Sequence, residues 1–228
     1  MTCTVVAQLL LRSARKTMPT KSNDLHGNAP DDAAAALLLI DVINDFEFEN
    51  GGQLLELAMP VGKNIAKLKQ RAKQAGLPVI YVNDNFGKWQ SDFKKIVSHC
   101  LEDGVRGEPF VKLVLPDPED YFVLKPKHSG FFCTSLELLL EYVGAKSLII
   151  AGIAGNNCVL FTANDAYMRD FRIFIPSDCV VSETEEENEY ALKQMEKVLK
   201  ADIKSFDRLD LEELKGVTKK QLAADSRG

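Results

Sequence analysis

Residues 146–158 read KSLIIAGIAGNNC, and this stretch decides the fold. Leu148 to Ile153 are apolar or small with no polar residue interleaved, the pattern of a strand buried on both faces. The turn Gly152-Ile153-Ala154-Gly155-Asn156-Asn157-Cys158 follows, and a helical pattern, NCVLFTANDAYMRD, covers 157–170. A strand, a tight turn and a helix make half of a βαβ unit.

Working outward, the unit recurs. ALLLID (36–41), LPVIYV (77–82) and YFVLK (121–125) are apolar runs upstream, the last being the shortest. Between them lie helical patterns over 60–74, 92–102 and 133–144. The first places Val61, Ile65 and Leu68 on one face and ends at Gly76; the third is capped by Thr134 or Ser135. Downstream, FRIFIP (171–176) is a strand, 184–200 a helix through Tyr190, Leu192, Met195 and Val198, and ADIK (201–204) a last short strand. Alternating β and α elements with continuous apolar strands predict a three-layer α/β/α sandwich over residues 36–204. Its sheet is six-stranded, mostly parallel and Rossmann-like.

The ends differ from this middle. Residues 1–23 carry Arg12, Arg15, Lys16 and Lys21 and no acid. Residues 1–35 read as an extension, either an organelle transit peptide or a disordered segment upstream of an alternative start at Met18. Ile203 reads as the last core residue. Residues 205–228 form a charged tail with one or two amphipathic turns, able to cap the domain or contact a partner subunit.

Composition narrows the function. With 46% hydrophobic and 27% charged residues over 228 positions, the chain is neither fibrous nor wholly disordered. Its net charge of −5 combines +4 on residues 1–23 with −9 on the rest, which argues against nucleic acid as a partner. No uncharged apolar run approaches the ~20 residues that span a bilayer, so no membrane partner is expected. Five cysteines (Cys3, Cys100, Cys133, Cys158 and Cys179) with no CxxC pair favour neither a disulfide framework nor a cysteine zinc site. A reducing, cytoplasmic setting is the expectation.

In an open parallel sheet, ligands bind beyond the carboxyl ends of the strands. There the sequence places Asp41, then Asn83, Asp84, Asn85 and Trp89, then Lys125, Lys127 and His128, then the turn to Cys158, then Ser177 and Asp178. Cys158 stands out. A helix N-terminus favours an anion, so its thiol pKa is expected to be lowered, where a buried structural cysteine would show no such activation. Asp41 alone reads equally as a turn or capping acid, and Lys125 as a solvated strand end with Lys127 competing. Together a Cys, an Asp and a Lys on three strand ends form a nucleophile, a base and a cation.

LLLIDVINDF, VLKPKHSGFFCTSLELLL and AGIAGNNCVLFTANDAYMRDFRIFIPSDCV, in that order, resemble the three signatures of the isochorismatase-like cysteine hydrolases. The resemblance implies that Cys158 is the nucleophile, Asp41 the acid/base and Lys125 the third triad member, and it demotes Lys127. It also implies a cis peptide between Ile153 and Ala154, an oxyanion hole from the amides of Ala154 and Cys158, and a homo-oligomer, dimer or tetramer. Nicotinamidases of this family carry an Asp-x-His…His metal site after strand two. Here NDNFGKWQSDF has no His, so no metal is expected, nor any other cofactor. Members that open the vinyl ether of isochorismate generally lack the cysteine, which argues for acyl chemistry.

The expected function is hydrolysis of a small carboxamide or related C–N bond through a thioester. One alternative is vinyl-ether hydrolysis of an isochorismate-like substrate, surviving loss of Cys158 but not of Asp41. Another is a catalytically silent interaction protein whose terminal arms are the working parts. Phe46, Asn83, Trp89, Phe131 and Asn157 are candidates to line the substrate pocket; core packing, for the aromatics, and helix capping, for the asparagines, are their plain readings. His128 reads as a surface or supporting residue, not as an extra catalytic base.

Overall fold

The structure, a computed structural model, describes residues 33–87 and 92–215. The extension up to residue 32, the tail from 216 onward and Trp89 lie outside the described residues.

Strand β1 (Ala35–Ile40) is buried along its whole length and forms the middle of the sheet. It pairs in parallel with β2 (Val79–Asp84) on one side and with β4 (Ser147–Ile153) on the other. Beyond these lie β3 (Tyr121–Lys125) and β5 (Arg172–Phe174), giving the order β3-β2-β1-β4-β5. The sixth strand is not residues 201–204. It is β6 (Val180–Val181), which pairs in parallel with the end of β4 through Gly152 and Ile153. Asp202 makes only a single bridge to Phe174. Lys200 enters with a positive φ of 57°, and the Asp202 carboxylate accepts from the Lys204 amide at 3.0 Å, so the chain turns away after one residue.

Helix α1 (Gly51–Gln74) covers one face. Its Leu54, Ala58, Ile65, Leu68 and Ala72 share a core with Leu37, Leu39, Val79, Tyr81, Ile149 and Ala151. The helix starts nine residues before the expected Pro60. A proline inside a helix loses a hydrogen bond and costs about 3 kcal/mol. Here Pro60 faces solvent while Leu54 and Ala58 continue the buried stripe, and that burial outweighs the break. The alternate strand residues Leu38, Ile40, Ile80, Val82, Leu148 and Ile150 are buried on the opposite face. There α4 (Leu136–Val143) and α5 (Leu160–Tyr167) meet: a Cβ on Gly130 would lie 2.7 Å from Val82, 3.1 Å from Leu136 and 3.5 Å from Thr162. Helix α2 (Phe93–Glu102) and a short α3 (Glu108–Val111) fill the β2–β3 crossing, and α6 (Glu185–Leu199) follows β6. Asp92 and Thr184 cap α2 and α6 by accepting from the amides of Lys95 and Glu187, each at 3.2 Å.

The core does not end at Ile203, which is only half-buried. A last helix, α7 (Leu211–Lys215), follows, and Leu209, Leu211 and Leu214 are buried in the α1 core. Arg71 of α1 donates to the carbonyls of Phe206 and Leu209. The described part of the tail therefore closes over α1.

One glycine sets the spacing of the two central strands. Gly152 has φ 129°, and a Cβ there would lie 2.1 Å from the Ile40 carbonyl oxygen. Gly152→Ala is expected to cost at least about 3 kcal/mol, read as a lowered midpoint in urea unfolding.

Candidate active site

The strand order reverses between β1 and β4, and such a switch point opens a crevice at the carboxyl ends of the two strands. Asp41 follows β1 there with φ 49°. Cys158 follows β4 in a π-helical turn, Gly155–Val159, that leads into α5. The Ile153–Ala154 peptide before it is cis, as the resemblance implies. Lys125, the last residue of β3, lies two strands from β1, and its long side chain reaches across.

The three side chains meet. Lys125 Nζ lies 2.8 Å from an Asp41 carboxylate oxygen and donates to Cys158 Sγ at 3.4 Å. Asp41 also stands beside the thiol and acts on its titration. The other Asp41 oxygen accepts from the Asp84 amide at 2.7 Å. The Asp84 carboxylate stands 3.7 Å from Lys125 Nζ, because the β2–β3 register sets Asp84 against Lys125. Lys125 has no exposed surface, and an unpaired ammonium in such a place would be strongly unfavourable.

Burial and charge set the proton positions. Burial raises the Asp41 pKa above 3.8, and Lys125, the thiol and the Asp84 amide offset this only in part. Burial works against the Lys125 ammonium, but Asp41, Cys158 and Asp84 outweigh it and hold its pKa above the ordinary value. The thiol departs from expectation: burial, with Asp41 beside it, pushes its pKa up to about 12, and Lys125 counters only in part. At rest the proton is on sulfur, with an acceptor of raised basicity in contact. A lowered thiol pKa is therefore not the mark that separates an enzyme from a silent protein here.

The other singled-out residues are placed as follows. Asn83 is fully buried; its amide donates to the Ile43 carbonyl at 2.7 Å, fixing the loop after Asp41. Phe46 is fully buried, edge-on to Phe110 of α3 at 5.5 Å. Phe131 is buried between Phe171 at 6.0 Å and the Arg169 guanidinium at 4.8 Å. Asn157 is half-buried beside Cys158, and its amide donates to the Ala154 carbonyl at 3.0 Å. Asp178 ties the tail, accepting from the Phe206 amide at 2.9 Å. Among the described residues no group of three or more His, Cys, Asp or Glu is arranged to hold a metal ion. No helix among them is long and apolar enough to cross a membrane.

Sequence reasoning missed the support behind the thiol. The Asn156 amide donates to Ser182 Oγ at 3.0 Å, Ser182 Oγ donates to Asn188 at 3.1 Å, and the Asn188 amide group donates to the Val180 carbonyl at 3.2 Å. Ser182 is fully buried, and a Cβ on Gly155 would lie 2.5 Å from Asn188. β6 and α6 thus hold the turn that carries Cys158. The polar pair Ser182 and Asn188, six residues apart after a short apolar run, was the available signal.

The isochorismatase domain model matches residues 35–203, and the chain belongs to the isochorismatase-like hydrolase family. It is 45% identical over 177 residues to the uncharacterized isochorismatase family protein YaaI of Bacillus subtilis (strain 168), covering 78% of this chain and 97% of that one. It is 30% identical over 187 residues to the isochorismatase of the same organism, covering 77% of this chain and spanning only 58% of that relative. Its fold is similar to N-carbamoylsarcosine amidase from Thermoplasma acidophilum, with a TM-score of 0.60, 25% identity, and coverage of 77% of this chain and 98% of that one.

Replacing Ser182 by Ala removes the acceptor of the Asn156 amide and a donor to Asn188. The expected stability loss is about 1–3 kcal/mol, measured by chemical unfolding.

Proposed function

We propose that the protein hydrolyses a small carboxamide or related C–N bond through a thioester on Cys158. The observation that carries this reading is one buried lysine in contact with both a carboxylate and a thiol, at 2.8 and 3.4 Å. The likeness to N-carbamoylsarcosine amidase supports C–N chemistry as the reaction class.

The contacts among Asp41, Lys125 and Cys158 support these steps. Asp41 accepts the thiol proton as sulfur attacks the carbonyl carbon, and Lys125 stabilises the developing thiolate. The carbonyl oxygen becomes an oxyanion held by the amides of Ala154 and Cys158, each such donor contributing about 3 kcal/mol in acyl transfer. Asp41 returns the proton to the leaving nitrogen and the C–N bond breaks. Asp41 then deprotonates a water molecule that attacks the thioester, and the thiol is restored as the acid departs. A base in this cycle must accept a proton from a weakly acidic thiol, and the raised Asp41 pKa suits that task.

A second reading is vinyl-ether hydrolysis, favoured by the 30% identity to an isochorismatase. The two separate on Cys158. Ammonia release is to be measured over a panel of small amides, ureas and carbamates. Cys158→Ala is expected to abolish turnover of any active member; ammonia release at the wild-type rate would overturn the thioester reading. Full activity of Cys158→Ala on isochorismate, lost in Asp41→Asn, would favour the second reading.

The pH dependence has a definite sign. Asp41 must be ionised to accept the thiol proton, and its pKa lies above 3.8. The acid limb of kcat/KM is therefore expected to have its midpoint above 3.8, with activity rising as pH rises through it.

A further inference from the structure

Lys125 and Asp41 approach Cys158 from the buried side of the crevice; His128 approaches from solvent. His128 Nδ1 lies 3.9 Å from Cys158 Sγ, within the range of a hydrogen bond to sulfur. The imidazole is exposed, and its ring lies against Phe161, with centroids 5.4 Å apart and planes 34° apart. Phe161 lies three residues after Cys158, so the helix that carries the nucleophile also carries the platform for the histidine. The turn after β3 that supplies His128 is tied to the same helix through Ser129, which bonds Asp165, and through the Gly130 amide, which donates to Thr162 at 3.0 Å.

We propose that His128 is a second proton acceptor for the Cys158 thiol, on its solvent side. The proposal deepens the reading of Cys158 as the nucleophile and rests on it. With the ring proton on Nε2, Nδ1 presents a lone pair to the thiol. The S–H proton passes to Nδ1, the sulfur attacks as thiolate, and the imidazolium gives that proton to the leaving nitrogen as the C–N bond breaks. Asp41 performs the same transfer from within. Two bases on opposite sides of one thiol give its proton an acceptor on the buried side and on the solvent side. Contacts of this kind are often long in the free enzyme and shorten on binding.

The test uses iodoacetamide, a small carboxamide that reports thiolate formation without turnover. The S–C bond forms, the C–I bond breaks and iodide leaves. Alkylation of Cys158 is followed by peptide mass spectrometry, with exposed Cys133 as the internal reference. His128→Gln removes the base, and His128→Phe removes it while keeping a ring on Phe161. Both are expected to slow Cys158 alkylation about tenfold and leave Cys133 unchanged. On top of Asp41→Asn, where the inner acceptor is gone, His128→Gln is expected to cost about a hundredfold. Equal Cys158 rates with and without His128, in either background, would overturn the proposal. Because alkylation needs no substrate turnover, that outcome leaves the thioester reading standing. Ammonia release by Cys158→Ala would remove both.

Discussion

The ammonium of Lys125 is the charge around which the crevice is built. It has no exposed surface, and desolvating it would cost several kcal/mol without partners. Asp41 at 2.8 Å, Asp84 at 3.7 Å and the Cys158 sulfur at 3.4 Å supply them. These partners come from the ends of β1, β2 and β4, and the lysine from the end of β3. Four strand ends must therefore converge. The same burial that demands pairing also raises the basicity of Asp41 and keeps the thiol protonated. The pairing of these groups and the shifts in their pKa values have one cause, which is exclusion of water from a small set of charges.

Convergence depends on the two central strands. Gly152 lets β4 close on the Ile40 carbonyl, and β6, added at the same end of β4, brings Ser182 behind the turn that carries Cys158. Asn83 plays the matching part on the other side, fastening the loop after Asp41. Asp41, Lys125 and Cys158 thus sit on or just beyond the ends of strands, and buried polar residues hold the connecting turns. A site held in this way presents its side chains with little reorganisation.

Much of this was legible in the chain. The long apolar runs of β1, β2 and β4 report burial on both faces, the rule that ligands bind beyond strand ends puts Asp41, Lys125 and Cys158 among the candidates, and the resemblance to the family's signatures picks these three from the rest. The less legible features share a reason: each depends on what lies across space. Pro60 looks like a helix boundary until the burial of Leu54 and Ala58 is seen. Val180–Val181 is too short to read as a strand and exists because β4 offers it an edge. Phe46 and Phe131 lie near the crevice in sequence, but pack against Phe110 and Phe171, which come from other segments. The thiol pKa went the other way from the helix-terminus argument, because burial and the neighbouring Asp41 raise it.

By itself, then, the sequence determined the layered α/β architecture, the family, and the three side chains at the crevice. Each of these is written in local order: periodicity, strand-end position and short motifs. Tertiary structure alone decided the protonation of those side chains, the acid facing Lys125, the buried Ser182 and Asn188 support, and the placing of His128 beside sulfur. Those depend on distance and on access to water, which no local pattern encodes.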